Sequence, residues 1–255
     1  MRMPLLRAPS LLLLAASVVL SACTGASSER VNVAAAADLR YALDEIIELA
    51  RTDNPGVEYA VTYGSSGQFL QQIENGAPFD LYLSADLAYP RKLVDAGTAT
   101  DLFPYAVGRL VLWVPEDSPL DPEDGLGILA EASRVAIANP EHAPYGRAAV
   151  AALQTAGMYD EVADSLVLGE NVAQAAEFVM TGNADAGIVA LSLVLSDPLR
   201  DVGAWWEIPT DTFPAIEQGG ALLADSPAAR ALRDAITGPD GRAILARYGF
   251  TLPED

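Results

Sequence analysis

The sequence predicts an α/β fold with parallel sheets. From Val31 onward, short apolar runs of strand length alternate with segments whose apolar residues recur at helical spacing. The breaks between them are short, and there is no internal repeat, heptad run or low-complexity tract.

In chain order, Val31–Ala35 is apolar enough for a buried strand, and Leu39–Arg51 follows as a helix with apolar positions at Leu39, Leu43, Ile46, Ile47 and Ala50. Val57–Tyr63 is a second strand, broken by Gly64-Ser65-Ser66-Gly67 before a helix through Phe69, Leu70 and Ile73. Asp80–Leu83 is a third strand, with a helix running through Leu93 to a stop at Gly97. Leu110–Val114 and Val135–Ala138 are strands separated by a proline- and acid-rich loop, and Gly146–Leu153 is helical. Val167-Leu168 is a short strand before a helix over Val172–Met180, Gly187–Leu191 is another buried strand, and Pro227–Leu245 is a final helix.

The first residues have the layout of an export signal. Arg2 and Arg7 precede the apolar run Leu11–Leu20, which ends in Leu20-Ser21-Ala22-Cys23. This tetrapeptide looks like a bacterial lipobox, cleaved before a cysteine that then carries lipid, and Cys23 is the one cysteine in the chain. The run is shorter than the ~20 residues of a comfortable membrane span. The expectation is a signal peptide over 1–22, a small polar tether over 23–30, and an exported protein held at the membrane through Cys23. The chain beyond the tether is long enough for one large domain or two lobes, and a lone cysteine leaves no intrachain disulfide.

The formal charge is −20. The leader contains Arg2 and Arg7 and no acid, so its removal takes the charge to −22. A field of that sign repels nucleic acid and anionic headgroups, so neither is expected as a partner. A small anion is repelled too, but salt screens that beyond ~8 Å and local donors in a cleft can outweigh it.

In open α/β sheets, ligands sit beyond the carboxyl ends of strands. Four strand-to-helix junctions share one character: Ala35–Leu39, Tyr63–Gly67, Ala143–Gly146 and Gly169–Val172 are small, hydroxylated or glycine-bearing and contain no lysine or arginine. Each presents first-turn N–H groups with partial positive charge, which suit an anion.

With these junctions the chain resembles the periplasmic molybdate-binding proteins of ABC transporters, which have the type II solute-binding fold. The resemblance rests on Val33-Ala34-Ala35-Ala36-Ala37-Asp38-Leu39, Tyr63-Gly64-Ser65-Ser66-Gly67, Gly76 to Asp86, Ala138 to Gly146, Glu170 to Gln174, Gly187 to Ser192 and Arg247-Tyr248-Gly249-Phe250, in that order from Val31 to Phe250. It implies two lobes, each a mainly parallel sheet flanked by helices, with 31–109 plus 214–255 forming one and 110–213 the other. Hinges fall near Gly108–Leu110 and Phe213–Gly219. It implies a monomer that captures molybdate, and tungstate with it, for an ABC permease, without a cofactor or a directly ligated metal cation. By resemblance, Ser66 supplies a hydroxyl and its N–H, Tyr145 and Val172 supply N–H groups, and Asp38 opens the first helix at the site.

Two departures from the family pattern stand out. Asp38 occupies a place where many relatives have serine or asparagine; it either caps its helix with only its N–H facing the ligand, or takes a proton from a protonated oxyanion such as hydrogen phosphate. A tyrosine that some relatives carry at Ala190 is missing. Elsewhere, Ser65 is expected as a helix cap, Tyr145 as a ring at the lobe edge, and His142 as a surface or hinge residue. Asp80 and Asp86 are expected in turns and caps, and Trp205 and Trp206 in packing. Sulfate or phosphate is the alternative ligand. A secreted serine hydrolase using Ser66 is a remote alternative, since Gly64-Ser65-Ser66-Gly67 lacks the Gly-x-Ser-x-Gly spacing of a nucleophile elbow. One histidine and one lipid-bearing cysteine argue against a metalloenzyme.

Overall fold

The structure, a computed structural model, describes residues 29–253; the leader, Cys23 and the start of the tether lie outside the described residues. Two five-stranded sheets form the frame, each with helices packed on it. In the first, β1 (Glu29–Ala36) lies parallel to β2 (Val57–Gly64) and to β3 (Leu81–Ser84), and its pairing with β2 starts at Glu29, two residues before the expected strand. The spatial order is β2-β1-β3-β10-β4, where β4 is Thr100–Gly108 and β10 is Ile216–Leu222. The second sheet is ordered β7-β6-β8-β5-β9, from β5 (Leu110–Pro115), β6 (Val135–Ala138), β7 (Leu166–Gly169), β8 (Ala186–Ala190) and β9 (Gly203–Glu207).

The α/β class with two mainly parallel sheets holds: in each, four strands run the same way and one runs against them. β10 runs antiparallel to β3 and β4, and β5 antiparallel to β8 and β9. The reason is connectivity. Among the described residues the chain passes between the sheets twice, from Gly108 to Leu110 and from Glu207 to Ile216, and β4, β5, β9 and β10 are the strands beside those passages.

Helices form where the sequence offers one apolar stripe. In α1 (Arg40–Asp53), Ala42, Leu43, Ile46, Ile47 and Ala50 are buried on the first sheet, each large aliphatic contributing about 1.5–3 kcal/mol. That face is shared with α8 (Pro227–Thr237) and α9 (Pro239–Arg247), which split the expected single helix at Gly238-Pro239. The opposite face carries α2 (Ser66–Glu74) and α3 (Ala88–Asp95) through Phe69, Leu70, Ile73 and Leu93. On the second sheet, α4 (Pro144–Thr155) and α6 (Val172–Met180) bury Ala148, Ala149, Ala152, Ala175 and Val179. The short α5 (Tyr159–Val162) and α7 (Leu191–Val194) complete that layer. Trp205 and Trp206 pack against this core from edge strand β9, as expected.

The first crossing is tightly packed. A Cβ on Gly108 would sit 2.2 Å from the Tyr145 hydroxyl and 2.9 Å from Gln218 Nε2. Gly108→Ala should therefore cost about 1–3 kcal/mol in urea unfolding. Adding Tyr145→Phe, which removes the obstructing oxygen, should recover part of that loss; no recovery would locate the strain elsewhere.

Candidate functional site

The parallel strands β1, β2, β6 and β7 all deliver their carboxyl ends to the space between the sheets, and a helical turn begins at each. After β1 comes a 3₁₀ turn over Ala37–Leu39; after β2, α2 begins at Ser66. After β6 and a five-residue loop, α4 starts with Pro144, whose missing N–H costs nothing there. After β7, Asn171 caps α6, its side chain accepting from the N–H groups of Ala173 and Gln174 at 3.0 and 3.1 Å.

These four beginnings converge on a cavity of about 10 Å³ lined by Ala36, Asp38, Ser66, Tyr145 and Val172 among others. The structure thus brings together all four residues singled out from sequence. That is about the room of one water, far below the ~300–1,000 Å³ of pockets that hold drug-sized molecules, so it excludes any large ligand. No lysine, arginine or histidine lines it. First-turn N–H groups have no partner inside their own helix, and those of Ser66, Tyr145 and Val172 are given no other acceptor by the described backbone, whereas the Asp38 N–H lies against its own carboxyl. The Ser66 hydroxyl accepts from the Ala85 N–H at 2.9 Å, so its one proton remains to be donated. The Tyr82 hydroxyl fixes the same turn by donating to the Ser66 carbonyl at 2.6 Å. A larger groove of about 460 Å³ is open to solvent, and its Arg147 and Asp86 are already paired with each other at 2.6 Å.

Several side chains play parts different from those expected. Asp38 does not cap a helix. Neither the 3₁₀ turn nor α1 has a side-chain cap, and Asp38 Oδ2 instead accepts from Gln218 Nε2 at 2.5 Å. Its carboxyl is 1% exposed, Oδ1 has no partner, and burial raises its pKa to about 6. Gln218, the Tyr145 hydroxyl and the nearby N–H groups of Asp38 and Leu39 moderate that rise. Tyr145 is not at a lobe edge: it is buried, and its hydroxyl accepts from Gln218 Nε2 at 3.4 Å beside Gly108. Burial and the Asp38 charge push its phenol well above the ordinary range, so it stays neutral. The missing tyrosine at Ala190 is followed by Ser192, whose hydroxyl donates to the Asp38 carbonyl at 2.8 Å.

At the cavity's rim, Ser65 occupies the N-cap position of α2 without making a cap bond. Its hydroxyl donates to the His142 carbonyl at 2.7 Å, and the Gly67 N–H donates to the same oxygen at 2.9 Å. Because the Ser65 proton is used there, His142 Nδ1, 2.9 Å from Ser65 Oγ, must be the donor to that oxygen. Gln68 donates to Glu170 at 2.6 Å beside the ring. Asp86 lies in the turn before α3, where it accepts from the Ala88 N–H without being the helix's N-cap, and it also pairs with Arg147 across the sheets. Gln218 and the Ser65–His142 pair were not found from sequence. Gln218 sits in a strand that was not recognised. Ser65 and His142 lie 77 residues apart, in loops whose meeting depends on how the two sheets face each other.

Residues 31–251 match the family model described as bacterial extracellular solute-binding protein. The chain is 38% identical over 248 residues to the molybdate-binding protein ModA of Azotobacter vinelandii, covering 95% of this chain and 98% of that one. To ModA of Rhodobacter capsulatus it is 37% identical over 241 residues, covering 92% and 94%. The solved periplasmic molybdate-binding protein of Azotobacter vinelandii superposes with a TM-score of 0.80 at 29% identity, over 88% of this chain and 100% of that one.

The Asp38 carboxyl makes stability depend on pH with a definite sign. A carboxyl raised from 3.8 to about 6 by folding binds its proton more tightly in the folded chain. Protonation then stabilises fully below about pH 4, and that contribution is lost as pH rises through about 6. The whole span is roughly 3 kcal/mol. Asp38→Asn should gain about 1–3 kcal/mol over the parent at pH 8 and little at pH 4 in urea unfolding. Equal effects at both pH values would show that the carboxyl does not titrate in the fold.

Proposed function

Because the chain belongs to the bacterial extracellular solute-binding proteins and, among them, to the molybdate-binding ModA family, we propose that it is the extracytoplasmic component of an ABC transporter that captures molybdate. It is a binding protein and not an enzyme. In this reading it works as a monomer, takes tungstate as well, hands its cargo to a membrane permease, and is tethered by lipid on Cys23. Among the described residues, no helix is long and apolar enough to cross a membrane.

One observation carries the proposal: a small cavity where four helix beginnings from both sheets meet, lined by Ser66 with its free hydroxyl proton and by no cationic side chain. Hydrogen bonds to a charged group are worth about 1.5–3 kcal/mol each. Four donors, at Asp38, Ser66, Tyr145 and Val172, sum to about 6–12 kcal/mol, a range that includes the ~8 kcal/mol of a micromolar affinity before the cost of closure. The two sheets act as lobes with boundaries at 109/110 and 213/214, and they close by bending at the two crossings.

A thermal-shift series in molybdate, tungstate, sulfate and phosphate tests this. Molybdate and tungstate should stabilise the protein by the logarithm of ligand excess, about 2.7 kcal/mol at one hundred times Kd. A preferential shift in sulfate or phosphate would reassign the ligand, and no shift in any anion would remove the proposal. Ser66→Ala should weaken molybdate about tenfold in titration calorimetry, the ~1.4 kcal/mol of one hydroxyl bond; unchanged affinity would take Ser66 out of the site. Cys23→Ser should move the protein from the membrane fraction to the soluble one, and its retention on membranes would count against the lipid tether.

A further inference from the structure

We propose that Asp38 carries a proton whenever the cavity is filled and donates it in a hydrogen bond to the bound dianion, so that each anion captured brings one proton into the closed cleft. The inference rests on the oxyanion reading above and names the protonation state that such a site demands.

The geometry leaves the carboxyl few choices. Asp38 is buried and lines the cavity, its Oδ2 is held by Gln218, and its Oδ1 has no partner in the protein. Its surroundings carry no compensating charge. Gln218 comes from β10, Tyr145 from α4, Tyr105 from β4, Ser192 from α7, and Asn171 and Val172 from the start of α6. Burial holds both phenols well above their ordinary range, so neither ionises. Two arginines close to these groups in the chain are engaged elsewhere: Arg40, two residues after Asp38, stacks on the Tyr63 ring, and Arg109, next to Gly108, pairs with Glu207. His142 and Glu170 sit at the rim, on Ser65 and Gln68.

An ionised carboxylate only accepts hydrogen bonds, and so does a fully deprotonated oxyanion. Two acceptors of like charge cannot share a dry cavity with no proton between them. A carboxylic acid supplies the missing donor and removes one of the two charges. Burial has already brought the group to about 6 with no anion considered, and a neighbouring dianion acts in the same direction.

The test is titration calorimetry of the full chain with sodium molybdate at pH 7, in buffers of different ionisation enthalpy. The expected result is uptake of close to one proton per anion. With a free-state value of about 6, affinity should be nearly flat below pH 6 and fall roughly fiftyfold between pH 6 and pH 8. In Asp38→Asn the slope and the proton uptake should both vanish, whatever its absolute affinity. In His142→Gln the uptake should persist, which assigns the proton to Asp38 and not to the imidazole. Measurable binding with no net proton uptake overturns the proposal, as does a pH slope that survives in Asp38→Asn. If that variant fails to fold, the parent's proton count decides alone. Absence of binding to molybdate or any other tested oxyanion would instead bring down the functional reading on which the proposal rests.

Discussion

One ionisable group without a counter-ion sits where the two sheets meet. The Asp38 carboxyl, the Gln218 amide and the Tyr145 phenol form a buried polar joint between β1, β10 and α4, and Gly108 is packed against it. At about 4 Å and an effective dielectric constant of 20, a carboxylate and a dianion repel by roughly 8 kcal/mol. Holding a proton at one pH unit above the pKa costs only ~1.4 kcal/mol. Neutralisation is therefore the cheaper solution by a wide margin, and an interior without cations leaves no other. The net acidity of the chain matters less than this local balance, because its exposed charges are screened by salt and the joint is not.

Contacts between the sheets divide into two kinds. At the rim, Ser65, Gly67 and His142 join through backbone and neutral side-chain bonds, and Arg147 reaches Asp86 and the Tyr89 hydroxyl from α4. Partly exposed ion pairs such as Arg147–Asp86 contribute about 0–1 kcal/mol, so they align the sheets more than they hold them. In the interior, Ser192 to the Asp38 carbonyl and Gln218 to the carboxyl are shielded from water, where an unmade bond costs about 1–3 kcal/mol. Closure thus depends on satisfying a few buried groups, and alignment on a larger number of weak surface ones.

Much of this was legible in the sequence because it is written in local patterns. Seven strands were readable as apolar runs, and the four junction loops that converge on the cavity follow four of them. Strands β4, β9 and β10 were not. Pro104 interrupts β4, which tolerates it as an edge strand, and Gly219-Gly220 beside Glu217 and Gln218 disguises β10 as a loop although it lies inside the sheet. Without β10 there was no place for Gln218, and without Gln218 a helix cap is the natural use for the Asp38 carboxyl. The roles of Ser65, His142 and Arg147 depend on how two separately folded layers face each other. No periodicity in the chain records that.

Under the proposed function, donors drawn from the peptide backbone at Tyr145 and Val172 would have a consequence for how such a cavity can change over generations. Codons specify side chains; the amide comes with every residue except proline. Replacing either residue would alter packing around the cavity while leaving its N–H in place, so selectivity here drifts slowly and shifts chiefly when the loops themselves are relocated by insertion or repacking. In the proposed site, the Ser66 hydroxyl and Asp38, the one buried acid among the described residues, are the positions where a single nucleotide would rewrite the chemistry.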